Sequence, residues 1–296
     1  MNPQSHEVAQ ANAVKIVSGI AHMATLPEVT THIIELVENP SSSARDLHQL
    51  VATDPALTTR VLKVVNSSFY GLPRQIGSIN RAISLLGLNA VKNISVAASL
   101  GRIFKQNHGK LSIDPRDLWS HSVATATMAF LIAQESKSGS ADEAFLAGLL
   151  HDVGLMVELQ HDVALFQQVV GAVETNAEGA PLSDLRARER ELFKVDHPVI
   201  GAALCEAWKF PQALVLATAH HHDPSLLEGD EASMPWIVHV AERVSTAQLG
   251  GFRLDLPSLE IDTAAYDAIG VGPVRMEALA ATLPSCLGEV ELSMAA

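Results

Sequence analysis

Histidine and acidic residues in the second half of the chain have the types and spacing that could carry chemistry. Imidazole and carboxylate groups together suit divalent zinc, iron or manganese. His151 and Asp152 are neighbours at the end of one apolar run, and His221 and His222 are neighbours at the end of another. Adjacent side chains on a helix point about 100° apart, so each pair tends to serve two neighbouring ions, or one ion and one substrate oxygen. The candidate ligands are His121, His151, Asp152, His197, His221, His222 and Glu242, with Asp117 as a further candidate.

Each candidate, taken alone, also has an ordinary structural explanation. A histidine in an apolar helix, such as His121, is more often a core or boundary residue than a ligand. His221 and His222 fit a solvated helix end, where a cationic imidazole interacts favourably with the helix dipole. Glu242 fits a surface pair with Arg243. The ordered combination of these residues, rather than any single one, favours a metal site.

Two of the carboxylates have alternatives that depend on where their side chains point. Asp117 lies four residues before His121, hence on the same helical face, but it also fits a surface position. Asp152 could be a ligand, or it could cap the turn at Gly154.

The elements that position these residues are predicted to be helices. Hydrophobic residues make up 48% of the 296 residues and aromatic residues only 4%, and the abundant Ala and Leu are strong helix formers. Helix start signals recur, for example at Ser41–Ser43 and at Asp54 followed by Pro55, and Gly87 suits a helix end. No segment alternates like a strand next to a hairpin turn. These patterns predict an all-α fold.

Three segments are expected along the chain. The stretch 105–115, with Gly109 and Pro115, indicates a boundary. Residues 1–108 would form an N-terminal helical subdomain, and residues 109–250 would form the helical subdomain that carries every candidate ligand. Residues 251–296 would form a helical tail, whose role the sequence does not indicate.

Charge and cysteine usage exclude several classes of function. The formal net charge of −13 disfavours general nucleic-acid binding and adsorption to anionic membranes. Cys205 and Cys286 are far apart, which argues against a thiolate zinc site or a disulfide scaffold and fits a reducing cytoplasm. The uncharged run Leu118–Gln134 contains Ser, Thr and His, so it is predicted to be a buried helix and not a membrane span.

The order H…HD…H…HH…acid resembles the HD superfamily of metal-dependent phosphohydrolases, and the closer resemblance is to the HDOD family. It covers roughly Ile16 to Gln248, and its most specific part is DPALTTRVLKVVNSSFYG. The segments INRAISLLGLNAVKN and DHPVIGAALCEAWKFPQALVLATAHHHDP resemble later elements of that family. The resemblance implies an N-terminal helical bundle followed by an HD-domain-like helical bundle, with an output role in bacterial signal transduction.

The resemblance also extends, residue by residue, to the catalytic HD-GYP relatives. Their metal ligands correspond here to Asp117, His121, His151, Asp152, His197, His221 and His222, with Glu242 in the place of a final Asp. Two features of those enzymes are missing. Leu155 replaces the lysine of their HDxGK motif, which holds the substrate phosphate, and the GYP loop is absent after His222.

Three hypotheses follow. The leading one is a signalling module, non-catalytic or weakly catalytic, that acts through a sensor or receiver protein, either with one or two retained iron, manganese or zinc ions or with none. The alternative is a metal-dependent phosphohydrolase or phosphodiesterase acting on nucleotides or cyclic dinucleotides, in which a divalent ion activates water. The third is a purely structural role, with or without an ion. A homodimer is compatible with the sequence, although no heptad-like seam supports it.

Overall fold

Helices make up the regular structure of the chain. The computed structural model describes residues 3–20, 28–38, 41–67, 70–100, 113–136, 140–177 and 179–295. In these ranges there is no β-strand beyond one isolated bridge between Thr175 and Pro181, so the prediction of an all-α fold is confirmed. A 3-10 turn spans Pro224–Leu226. The helices are α1 (Pro3–Gly19), α2 (Glu28–Glu38), α3 (Ala44–Ala52), α4 (Pro55–Val65), α5 (Ile79–Leu86), α6 (Leu88–Leu100), α7 (Pro115–Ser136), α8 (Ala141–Leu150), α9 (Val153–His161), α10 (Val163–Gly171), α11 (Leu185–Leu192), α12 (His197–Ala207), α13 (Gln212–His220), α14 (Asp230–Leu249), α15 (Thr263–Ile269) and α16 (Pro273–Ala295).

Local capping signals set several helix boundaries. The Ser43 side chain caps α3 by accepting a hydrogen bond from the Asp46 backbone N–H, and the Asp46 carboxylate accepts one from the Ser43 backbone N–H, which completes a capping box. Asp54 accepts a hydrogen bond from the backbone N–H of Leu57 and caps α4. Gly87 ends α5 with a φ of 91°, a conformation that favours glycine. The start and stop signals in the sequence therefore mark real boundaries here.

The helices that carry the candidate ligands pack into one bundle. Helix α7 packs on α8 and α14, and α12 packs on α9 and α13. Two close approaches depend on glycine. A Cβ on Gly148 would lie 2.7 Å from the Cα of Ala126, and a Cβ on Gly154 would overlap the backbone carbonyl of His197. The first turn of α9 can therefore contact the start of α12 only because residue 154 has no side chain.

The outer segments pack onto this bundle. Helix α1 contacts α9 and α12, and α16 contacts α4, α7 and α14. Both the N-terminal segment and the C-terminal tail thus rest on the helices around the candidate ligands. The predicted boundary between residues 108 and 109 lies outside the described residues, and the division into three segments stays a prediction.

Helix α7 contains the uncharged run Leu118–Gln134. Its buried residues include His121, Thr125 and Thr127 as well as apolar side chains, as predicted for a buried helix. Within the ranges given above, no helix combines the length and the apolar character needed to cross a lipid bilayer.

The glycine contact between α9 and α12 can be tested by substitution. Gly154→Ala would force the Cβ into the His197 backbone, so we expect it to lower the free energy of unfolding by about 3 kcal/mol, the upper part of the usual range for overpacking. Gly171→Ala is the matched control, because nothing lies within 4 Å of its Cβ position. Urea denaturation of both variants measures the difference, and equal stabilities would contradict the close contact.

Candidate metal centre

The side chains of all seven principal candidates converge inside the bundle. They form two groups that share Asp152, and the possible ligand atoms within each group lie within 4.8 Å of one another. Group A consists of His121, His151, Asp152 and Glu242. Group B consists of Asp152, His197, His221, His222 and Asp255. Residues that are up to 134 positions apart in sequence, from 121 to 255, thus meet in one buried space.

Helix ends supply most of these side chains. At a helix end the chain changes direction, so neighbouring residues can point into the same space from different angles. Residue His121 lies within α7 and Glu242 within α14, whereas the others lie at or near ends: His151 after α8, Asp152 before α9, His197 at the start of α12, and His221 and His222 after α13.

Asp152 joins the two groups through its two carboxylate oxygens. Oδ2 lies 3.3 Å from Nε2 of His151 and 3.6 Å from Nε2 of His121. Oδ1 lies 3.5 Å from Nε2 of both His197 and His221. The side chain makes no capping hydrogen bond with α9, so the interpretation of Asp152 as a simple helix cap is wrong.

Two imidazoles are oriented by backbone carbonyls one helical turn earlier. Nδ1 of His151 lies 2.8 Å from the carbonyl of Gly148, and Nδ1 of His221 lies 2.9 Å from the carbonyl of Thr218. A carbonyl can only accept, so each Nδ1 carries the proton and donates. The neutral ring then presents an Nε2 lone pair to the centre, as metal-ligating histidines generally do.

His197 is oriented by a carboxylate that the sequence did not single out. Glu189, in α11, accepts a 2.9 Å hydrogen bond from Nδ1 of His197 and another of 2.9 Å from its backbone N–H. Glu189 is fully buried, although it lies in a helix whose sequence, LRAREREL, is rich in charged residues. Only the packing of α11 against the centre distinguishes Glu189 from the other charged residues of that helix, so no local sequence signal could have identified it.

Asp255 is the second residue that the sequence did not indicate. It lies beyond α14 in the tail, and its Oδ2 is 3.4 Å from Nε2 of His222 and 4.0 Å from Nε2 of His197. Phe252 reaches the same centre, with its ring 5.9 Å from that of His121 in an edge-to-face arrangement. The one available signal was an acid between two apolar residues, Leu254 and Leu256, which suggests burial.

Asp117 takes no part in either group. Its side chain is exposed, whereas His121 on the same helix is buried. The four-residue spacing places both residues on roughly one side of α7, but the part of the first turn that carries Asp117 is exposed, although Leu118 beside it is buried. The surface alternative therefore describes Asp117 better than the ligand alternative. Glu242, in contrast, does not fit its surface alternative, because its side chain is fully buried.

The donor set fits divalent ions. Both oxygens of Asp152, Glu242 and Asp255, and Nε2 of His221, are buried without a hydrogen-bond partner. Such atoms are unfavourable unless a cation or water satisfies them. Two ligand atoms that are each about 2.1 Å from one ion lie roughly 3.0–3.4 Å apart at ordinary coordination angles. Nε2 of His121 and His151 are 3.2 Å apart, as are those of His197 and His222.

The pKa values show how strongly these groups interact. Burial alone would lower the pKa of His197, but the Glu189 carboxylate and then the Asp152 carboxylate raise it to about 9. Burial alone would also lower the pKa of His151, but the Asp152 and Glu242 carboxylates hold it well above its ordinary value. Burial and the neighbouring His151 lower the pKa of His121 to about 4. Without an ion, protons on His151 and His197 therefore supply the positive charge.

Metal binding should release these protons. A raised pKa means that His197 is protonated at pH 7, so an ion that takes Nε2 must displace a proton. We expect the apparent zinc affinity to rise between pH 6 and pH 9 by about tenfold per pH unit for each proton released, and then to level off. Calorimetry in buffers of different ionisation enthalpy counts the protons.

A variant isolates the contribution of Glu189. Glu189→Gln removes the charge that raises the His197 pKa, so fewer protons should be released at pH 7. In the unsubstituted protein, a zinc affinity that does not change from pH 6 to pH 9, with no proton release, would contradict the raised pKa values of His151 and His197.

Comparisons with known proteins agree with this arrangement of helices. A family model of the HDOD domain matches residues 23–224. The crystal structure of an HDOD domain protein with unknown function from Geobacter sulfurreducens is 26% identical and covers 97% of each chain, with a TM-score of 0.77. A protein from Marinobacter aquaeolei VT8, called "Putative signal transduction protein", is 25% identical with a TM-score of 0.71, over 91% of this chain and 59% of that chain.

One curated relative adds a fact about length. An uncharacterized protein of Treponema pallidum (strain Nichols) is 26% identical over 245 residues, which are 81% of this chain and 45% of the relative. The chain thus spans less than half the length of that protein. Since the family model covers more than half of the chain, the chain belongs to the HDOD family.

Proposed function

We propose that this protein is a signalling module whose buried centre holds two divalent ions, and that it hydrolyses phosphate esters poorly or not at all. The observation that carries the proposal is the closure of the centre by protein groups. No side chain of groups A and B is more than 4% exposed. A substrate ester needs an open position on the ion, and the described side chains leave none exposed to solvent.

The surroundings of the centre also disfavour phosphate binding. Leu155 lies in the first turn of α9, three residues after Asp152, and is fully buried. An apolar side chain there cannot neutralise the charge of a phosphate, and loss of such a contact typically costs a few kcal/mol of transition-state stabilisation. Phe252 adds a second apolar side chain beside His121.

The ligand side chains would bind the ions, and the bound ions would link the helices that carry these side chains. Asp152 bridges the groups, the anchored imidazoles of His151 and His221 point Nε2 inward, and Glu189 orients His197. A bound divalent ion supplies positive charge that attracts these carboxylates and imidazoles together. Because the ligands come from α7, α8, α9, α12, α13 and α14, ion binding would tie these helices into one unit.

A signalling role follows from this coupling. An ion that binds only the folded bundle stabilises it by mass action, so a change in ion binding would change the stability of the whole bundle. We propose that the signal is passed to or from a protein partner of the sensor or receiver type. The name of the Marinobacter aquaeolei relative supports this assignment.

Phosphate-ester hydrolysis is the second candidate function. It is favoured by one observation, the two oxygens of Asp152 that face different groups, because a bridging carboxylate is common in two-metal hydrolytic sites. Group B would then be the part of the centre that holds the ester.

Metal content tests the centre directly. Protein purified without nickel affinity and loaded with manganese, iron or zinc should carry about two ions per chain, because each group offers at least four ligand atoms. Asp152→Ala should lose most of both ions, since it removes a ligand from each group, whereas Asp267→Ala on the exposed face of α15 should not. Elemental analysis measures the number of ions per chain, and less than about a tenth of an ion per chain would rule out the centre.

Turnover separates the two candidate functions. The metal-loaded protein should hydrolyse cyclic dinucleotides and nucleotide monophosphates poorly, and Leu155→Lys alone should not restore activity because the centre remains closed. Product formation is measured by chromatography. Robust hydrolysis that disappears in His151→Ala would establish the phosphohydrolase instead.

A further inference from the structure

A short segment after α14 covers the centre; we call residues 250–256 the strap. It begins with Gly250 and Gly251, which have φ values of 72° and 102°, a conformation that other residues rarely adopt. Nothing lies within 4 Å of the Cβ position of either glycine. The two glycines therefore turn the chain back over the bundle without being packed in place.

The strap is attached chiefly by side chains. Its backbone hydrogen bonds among the described residues are local, from Gly250 N–H to the carbonyl of Thr246 and from Leu256 N–H to that of Arg253. Phe252 and Asp255 enter the centre and Leu256 is fully buried. A segment held in this way can move away from the bundle without breaking a hydrogen-bonded helix or ladder.

Asp255 differs from the other residues of group B. His197 and His221 are fixed by hydrogen bonds to Glu189 and to the Thr218 carbonyl. Neither carboxylate oxygen of Asp255 has a hydrogen-bond partner, and Nε of Arg253 on the same strap is also buried without one. Asp152, the other acidic residue of group B, also lacks hydrogen bonds, but it lies at the start of helix α9, whereas Asp255 lies on the strap outside any helix.

We propose that the strap is an intramolecular occupant of group B, in which the Asp255 carboxylate takes the position that an external phosphate-like oxyanion would take. This inference rests on the proposed metal centre. A carboxylate and a phosphate offer the same kind of donor, a negatively charged oxygen, to the same ion and imidazoles. The centre then binds such an anion only when the strap is displaced, and signals that move the strap control access.

The test uses the metal-loaded full chain and inorganic phosphate as the probe. Calorimetry compares the wild type with Asp255→Ala and Asp255→Asn, which remove the charged occupant, and with Asp267→Ala as an exposed control. We expect the two Asp255 variants to keep their ions and to bind phosphate at least about tenfold more tightly than the wild type and the control. In the wild type, saturating phosphate should increase hydrogen exchange of the strap amides.

Two results would overturn the strap proposal. One is phosphate affinity in both Asp255 variants equal to that of the metal-loaded wild type. The other is loss of the ions from both variants, which would make Asp255 an indispensable ligand that no external anion replaces. A wild type that takes up no metal would be a different failure, because it removes the proposed centre itself.

Discussion

Ionised carboxylates are very unfavourable away from water unless positive charge lies beside them, and this constraint governs the structure around Asp152. Asp152, Glu189, Glu242 and Asp255 are all buried within the same bundle. Two divalent ions would balance these four carboxylates while every imidazole stays neutral. Without ions, protons on His151 and His197 offset part of this charge, as does Arg243, whose Nη1 lies 3.9 Å from a Glu242 oxygen. Burial together with the nearby Asp152 and Glu242 carboxylates raises the pKa of Asp255 well above its ordinary value. These buried groups could therefore hold divalent ions.

The packing of the bundle serves the same constraint. Gly154 lets the start of α9 touch the start of α12, which brings Asp152 within 3.5 Å of His197. Gly148 brings α8 against α7, and its carbonyl also orients His151. Small residues thus set the distances between helices, and those distances set the distances between ligands. The packing of the helices therefore determines the geometry of the centre.

Local sequence patterns were sufficient for the helices and for most of the centre. Capping residues such as Ser43 and Asp54 act within one turn, so their effect can be predicted without knowing the fold. The HD and HH pairs could be identified because each lies at the end of an apolar helix. Glu189 and Asp255 could not be identified in this way, because their roles depend on how α11 and the strap pack against distant helices. Asp117 shows the converse error, since its spacing fits a ligand but its turn of helix lies at the surface.

The proposed centre depends most on Asp152, whose two carboxylate oxygens would each face one ion. Anomalous diffraction from crystals of the metal-loaded protein tests this directly, because it locates each ion independently of the protein atoms. We predict two peaks about 3.5–4 Å apart, one beside each oxygen of Asp152. A single peak bound by one group only, or no peak within reach of Asp152, would contradict it.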